Sequence, residues 1–320
     1  MTIVTPPPAI NRDRWGRPLV VPPGGGKPVA YTRCTTFVDA LEDKYNLQLW
    51  MQRMTAVGLS MRPDLLLAVS AHKDDKSKLN KICDDAKEAA AASAAATTGT
   101  ALHALTELVD RGQELPPLPS EAQADLAAYA AATEALKATH IEQFCVLDPL
   151  QIGGTPDRIV RHEGKSYIAD IKTGSIEFGI LKIAMQLAVY ARSKTYDIAS
   201  AERGMHGAEL DKALIIHLPA GEARCDLYWV DILAGWDAVQ VAKQVREKRK
   251  LKFGDLTRAF ADLTPELVVP EATVVPLEQQ IAECLTEVAL RALWAENEAA
   301  WNDTLTELAK QRLLELKAAS

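Results

Sequence analysis

The stretch Gly154 to Lys172, GTPDRIVRHEGKSYIADIK, carries two acids and a lysine at a spacing that could do chemistry. TPDRIVRH and KSYIADIK alternate like strands on either side of Glu163 and Gly164, a short Gly-containing connection of the kind that closes a β-hairpin. If His162 pairs with Lys165, counting outward sets Ile159 opposite Ile168 and Asp157 opposite Asp170. The two carboxylates then stand with Cβ atoms about 5 Å apart. Like charges directly opposite destabilise a sheet, so such a pair implies a shared proton or a bound cation, and a divalent cation is the better account. Side chains alternate along a strand, so Lys172 projects to the same face as Asp170. Hydrolysing a phosphodiester calls for a cation on the phosphoryl oxygen, a group to generate hydroxide, and positive charge against the developing anion. Asp157, Asp170 and Lys172 supply those parts, and hard oxygen ligands suit magnesium or manganese.

The elements that must position these residues follow from periodicity. Residues 1–30 are rich in Pro and Gly and read as an extended arm; their GGGK lacks the Gly and the Ser or Thr of a phosphate loop, so no nucleotide is expected. A helical region, 31–140, follows. Phe37, Leu41, Tyr45 and Leu49 mark a helix or helix pair over 35–59, and further helices are expected over 62–71, 75–111 and 120–138. The alanine-rich AKEAAAASAAATT favours helix and lets a neighbouring helix approach closely. Short β-branched or aromatic runs then alternate with turns: IEQFCVLDP, IGGTPDRIVRH, KSYIADIK, KALIIHLP and ARCDLYWVD, with a helix over 178–195 between the third and fourth. These form an α/β core over 141–232. Residues 233–320 read as a helical C-terminal region, where Leu290, Trp294, Trp301, Leu305 and Leu308 sit at roughly helical spacing.

Bulk properties narrow the class. With 320 residues, 48% hydrophobic and 25% charged, the chain can bury a core without staples. Its five cysteines are scattered and odd in number, without a CxxC pair, which fits a reducing cytoplasm. No apolar run approaches a membrane span, and no membrane partner is expected. A formal net charge of −7 means that any contact with a polyanion must be local. Candidate patches are Arg12, Arg14 and Arg17, and the run Lys243, Arg246, Lys248, Arg249, Lys250, Lys252.

Four places together resemble the PD-(D/E)XK nucleases, and within them the RecB-like exonuclease branch: GTALH with His103, GTPD with Asp157, DIK with Asp170 and Lys172, and QLAVY with Gln186 and Tyr190. The resemblance covers roughly residues 97–232. It implies a restriction-endonuclease-like core, a central mixed β-sheet flanked by helices, with large helical N- and C-terminal additions. It also implies that His103, Asp157 and Asp170 ligate Mg2+ or Mn2+, with the Ile171 carbonyl as an extra oxygen donor. Lys172 would position or activate the attacking water, and Gln186 and Tyr190 would hold the site or the nucleic-acid strand. Glu142 matches the acid often found on the family's first core strand. Read without the family, His103 is an ordinary core histidine in ALHALTELV and Glu107 an exposed helix carboxylate or a partner for His103. His72, His140, His162, His206 and His217 show no metal-ligand spacing.

Some RecB-like relatives bind an iron-sulfur cluster on four cysteines. Here Cys34 and Cys284 bracket the core without the clustered C-terminal cysteines, so no cluster is expected. The helicase of the larger relatives is missing too. The expectation is a stand-alone, phage-type exonuclease acting on DNA ends or single strands in the host cytoplasm, with a recombinase, helicase or single-strand-binding protein as possible company. An endonuclease of the same fold, a non-catalytic DNA-end binding or recombination-mediator protein, and a phage assembly protein are the competing readings.

Overall fold

The computed structural model describes residues 9–258 and 275–318; the first eight residues of the expected arm, and 259–274 and 319–320 of the expected C-terminal region, lie outside the described residues. In chain order the strands are β1 (Leu19–Val20), β2 (Val29–Ala30), β3 (Thr32–Arg33), β4 (Lys137–Ile141), β5 (Cys145–Leu147), β6 (Ile152–Gly154), β7 (Arg158–His162), β8 (Lys165–Lys172), β9 (Lys194–Tyr196), β10 (Arg203–Gly204), β11 (Lys212–His217) and β12 (Asp226–Asp231). The helices are α1 (Cys34–Val38), α2 (Tyr45–Met61), α3 (Pro63–Ala71), α4 (Lys76–Ala89), α5 (Ala94–Asp110), α6 (Ser120–Thr133), α7 (Ile180–Ala191), α8 (Ile232–Lys248), α9 (Phe253–Leu256), α10 (Leu277–Glu283), α11 (Glu287–Glu296) and α12 (Asp303–Ala318). The fold is α/β, with two mixed sheets flanked by helices.

The larger sheet has the order β12-β11-β8-β7-β4. Its β7–β8 hairpin has the register counted from the sequence, Ile159 opposite Ile168 and His162 opposite Lys165. Glu163 and Gly164 both take positive φ, 49° and 83°, which is the left-handed pair that matches a two-residue turn to the twist of its strands. β8 is buried almost throughout because both of its faces are covered. Ile159, Ile168 and Ile215 pack into a core with α1, α7 and α8 on one face. Val160, Tyr167, Ala169, Ile171 and Leu214 pack with Tyr129 of α6 on the other. β11 runs parallel to β8, with Ile215 beside Asp170 and His217 beside Lys172.

Two stretches that read as single strands change sheets midway. IEQFCVLDP divides: its Ile141 ends β4 in the larger sheet, and Cys145–Leu147 form β5 in the smaller one, with Glu142 at the break in a left-handed conformation (φ 51°). IGGTPDRIVRH likewise divides into β6 of the smaller sheet and β7 of the larger. The two breaks are adjacent, for the Glu142 amide donates to the Asp157 carbonyl at 3.0 Å. Both halves of each run are strand-like in composition, so the pattern alone does not show the change of sheet.

Other boundaries also differ from the reading by pattern. Described residues of the expected arm are tied down: β1 and β2 pair, and Val20 buries itself with Phe144, Val146 and Tyr196; in the expected helical region, Tyr31 joins that cluster and β3 pairs with β6. The expected helix over 75–111 divides into α4 and α5 around Ala91, which has φ 54°. The expected helix over 120–138 stops at Thr133, and Lys137 and Ala138 enter β4. Small side chains do permit close approach: a Cβ on Gly58 of α2 would lie 1.7 Å from the Ala86 carbonyl oxygen of α4.

α8 belongs to the core rather than to a C-terminal region beginning at 233. Asp231 caps it, accepting from the Leu233 and Ala234 amides at 2.8 and 3.2 Å, and Ile232, Val239 and Ala242 are buried in the cluster with α7. Gly235 makes that contact possible, since a Cβ there would lie 2.4 Å from the Ala184 carbonyl oxygen. The chain divides into compact units at Lys250 and Leu251. In the second unit Ile281, Leu290 and Leu305 form a small core with Trp301 and Leu308 packed against it, while Trp294 is exposed.

Candidate active site

Asp157 stands one residue before β7, where the chain has just left the smaller sheet. Its Oδ2 accepts the Ile171 amide at 2.7 Å, so the carboxylate takes the place that a backbone carbonyl would fill had the β7–β8 ladder continued. A strand residue points its N–H and C=O to the same edge in such a ladder, so the Ile171 carbonyl opens beside Asp157 too. Asp170, 2% exposed, lies on the α7 face of β8. Its Oδ2 is paired with the Lys172 ammonium, and its Oδ1 is 3.4 Å from Gln186 Nε2 on α7.

His103 comes from α5. Its Nδ1 is 3.5 Å from Asp157 Oδ2. The helix can come this close to the end of β8 because Gly99, one turn earlier, has no side chain; a Cβ there would lie 2.5 Å from Thr173 Oγ1. Tyr190 lies close enough to Asp170 and Asp157 for their charges to raise its hydroxyl, after burial. It is buried behind Gln186, with its hydroxyl where a Cβ on Gly154 would be, at 2.7 Å, and beside Cys34. Its hydroxyl hydrogen-bonds with the Gln186 side chain. Glu142 holds its carboxylate 3.7 Å from Arg158 and faces Asp157 and Glu107.

Arg158 is the residue that sequence reasoning passed over. Only 1% exposed, it donates through Nε to Asp110 Oδ2, through Nη2 to Thr106 Oγ1 at 3.2 Å and through Nη1 to the Asp157 carbonyl at 2.7 Å. Tyr129 of α6 donates to the same Asp110 Oδ2 at 2.7 Å. One guanidinium thus joins β7 to the helix that carries His103 and fixes the backbone of Asp157. Arg158 adjoins Asp157 in sequence, and a charged residue inside the apolar run RIVRH was the available signal. Glu107, expected as a partner for His103 or an exposed carboxylate, lies 3.5 Å from Arg111 and adds negative charge near Asp157 and Glu142.

The electrostatics reflect acids gathered in a partly closed space. Burial raises the Asp157 carboxyl above its ordinary value against the opposing Ile171 amide, and burial followed by the charge of Asp157 raises Asp170 despite Lys172. Burial, then Asp157 and Glu107, push Glu142 up to about 8. Burial lowers the His103 imidazole, which keeps it neutral near pH 7 and able to donate a lone pair. Asp170 Oδ2 is buried and receives no aligned hydrogen bond from a described residue, its ion pair with Lys172 aside. Among the described residues no three His, Cys, Asp or Glu side chains stand close enough to surround an ion as they are placed. The donor chemistry nevertheless fits a hard divalent cation: two underprotected carboxylates, a neutral imidazole, an edge carbonyl and a third acid nearby.

No family model matches the sequence, and no curated protein matches it. Among solved structures the chain is similar to one described as the crystal structure of SSO0001, with 16% sequence identity, coverage of 68% of this chain and 75% of that one, and a TM-score of 0.28. Similarity at that level carries no argument about fold or function. No helix among the described residues is long and apolar enough to cross a membrane.

Proposed function

We propose that the protein is a Mg2+- or Mn2+-dependent nuclease of the PD-(D/E)XK type, in which the β4–β7–β8–β11 sheet with α5 and α7 is a restriction-endonuclease-like core, and that it degrades DNA from its ends. The observation that carries this reading is the meeting of Asp157 and Asp170 at the place where β6 passes into β7, with Lys172, Gln186 and His103 around them. Fixing unprotonated acids in a buried place is costly unless a cation neutralises them.

Asp157, Asp170 and His103 would hold the ion with the Ile171 carbonyl, and Glu142 would complete the set. A bound divalent ion would polarise the scissile phosphate and favour hydroxide over water. Lys172, released from Asp170, would place its ammonium against the phosphate oxygens as negative charge develops. Gln186 would orient Asp170, and Arg158 would keep the backbone of Asp157 and the His103 helix in register. A setting in phage-type recombination, repair or replication is part of the proposal.

The test is digestion of end-labelled linear duplex and single-stranded DNA with Mg2+ or Mn2+. Shortened products are expected, and a loss of at least about 10²-fold is expected for Lys172→Ala and Asp170→Ala. Intact linear DNA under both metals, or cleavage by Lys172→Ala at the wild-type rate, overturns the reading. Closed circular DNA separates the alternative, since an endonuclease cuts it and an exonuclease leaves it whole.

A further inference from the structure

A second charged place lies away from the carboxylates. Lys243 and Arg246 stand three apart on α8, and Arg249 and Lys250 follow directly after its last residue, Lys248. They line a cavity of about 600 Å³ whose other wall is Thr32, Phe37 and the turn Asp148–Gln151. Two acids share it, and both are already engaged: Glu247 binds Lys250 at 2.7 Å, and Asp148 binds Arg203 at 2.9 Å and accepts from the Tyr31 hydroxyl at 2.8 Å.

The other cations have no carboxylate among the described residues. Arg246 donates only to neutral oxygens, Thr36 O at 3.3 Å and Thr32 Oγ1 at 3.5 Å, and lies over the Phe37 ring at 5.0 Å. Arg249 donates to Ala40 O at 3.2 Å. Lys243 makes no hydrogen bond or ion pair to a described residue. A guanidinium has five donors, so most of those on Arg246 and Arg249 are unspent, and the Phe37 ring and the backbone carbonyls fix their planes. Three uncompensated cations around one concavity concentrate positive potential where the chain as a whole carries −7.

We propose that this cavity binds the phosphodiester backbone of a nucleic-acid strand whose end lies in the active site, an inference that rests on the nuclease reading above. The path between the two places is built of continuous structure. Gln151, in the cavity wall, accepts the Thr32 amide at 2.7 Å. β6 then runs from Ile152 to Gly154, on the order of 10 Å of extended chain. Gly154 abuts Tyr190, and three residues later comes Asp157. One short, buried strand of the smaller sheet thus separates the cavity wall from the carboxylates along the chain. The site explains how an acidic protein can hold a polyanion: the affinity is confined to one cationic cavity.

The experiment is fluorescence anisotropy of a labelled 20-nucleotide single strand with the full chain in EDTA, over a series of salt concentrations, with inorganic phosphate and pyrophosphate as competing ligands. Lys243 is the residue to change, because its side chain supports nothing else in the described structure. Lys243→Ala is expected to weaken binding about 3- to 10-fold at low salt and to reduce the salt slope by about 0.7, the value for one lost phosphate contact on a single strand. Lys243→Glu should weaken it further, and Lys81→Ala, whose lysine pairs with Asp85, should leave it unchanged. Equal affinity and slope for wild type and Lys243→Glu overturn the proposal. So does a site that takes free phosphate or pyrophosphate in a Lys243-dependent way while the oligonucleotide ignores Lys243. Because binding is read without metal, failure of the nuclease reading shows separately, as absent cleavage with Lys243-dependent binding retained.

Discussion

The β7–β8 hairpin buries charge on both faces, and the two faces handle it differently. Toward α5 and α6, Arg158 is matched with Asp110, and Thr106 and Tyr129 take up further hydrogen bonds on the pair. Toward α7, Asp170 is left with a lysine and a long contact from Gln186, and beside it Asp157 and Glu142 are raised above their ordinary values. The first arrangement compensates its charges and holds elements together. The second leaves acids undercompensated within a structure otherwise able to neutralise them. On one face the acids stay undercompensated, and on the other the Arg158 cluster ties β7 to α5.

The contrast breaks most visibly if Arg158 is changed. Arg158→Met keeps length and burial but strands Asp110, which should cost about 3–5 kcal/mol in urea unfolding. Adding Asp110→Leu should recover much of that cost, because no buried charge then remains. A single variant within about 1 kcal/mol of wild type would mean that the Arg158 pair does not anchor α5.

On the other face the effect has the opposite sign with pH. Glu142 is raised in the folded protein from its ordinary 4.5 to about 8, so the folded state binds more protons than the unfolded state across that interval. Stability of the protein in EDTA should therefore fall as pH rises from about 4.5 to 8, by on the order of 2 kcal/mol once the exposure of Glu142 is discounted and the raised aspartates are added. Glu142→Gln should flatten the upper part of that fall, Asp170→Asn the lower part, and Mg2+ should reverse it. Thermal melts at several pH values read all three, and a stability that climbs with pH would contradict undercompensated acids.

The smallest change sharpens the role of Tyr190. Tyr190→Phe removes a hydroxyl packed against Gly154 and Cys34 without touching a carboxylate, so stability should drop by about 1 kcal/mol or less and cleavage by less than about 10-fold. A loss as deep as that of Lys172→Ala would place the hydroxyl at the reacting phosphate instead.

Register was legible in the sequence because a two-residue turn leaves no freedom: once Glu163 and Gly164 are recognised, the pairing of Ile159 with Ile168 follows by counting. The sharing of a face by Asp170 and Lys172 came from strand alternation. The passage of two strands between sheets was not legible. It depends on Glu142 taking a left-handed conformation that glutamate rarely prefers, and on Asp157 turning its side chain to a backbone amide. Arg158 was hidden for a different reason: its charge in the strand is visible in RIVRH, but its partner Asp110 lies 48 residues away. The expected arm misled because Pro and Gly dominate its composition while Val20 and Ile10 pack it against a cluster that includes Phe144 and Tyr196. The cationic run on α8 was visible, but which of its members lacked partners required the surrounding chain.

The connectivity around β8 also bears on the order in which the molecule assembles. β8 meets β7 across a two-residue turn, a closure expected within about 1–10 μs, but meets β11 only after the crossover from 173 to 211 has folded around α7. Pairings of large sequence separation form late because chain closure must precede them. The two acids are thus brought together while water still screens them, and their repulsion grows only as α5 and α7 close over the hairpin. If the proposed ion binds at these acids, a chelator should slow the final phase of refolding and leave the earliest one untouched.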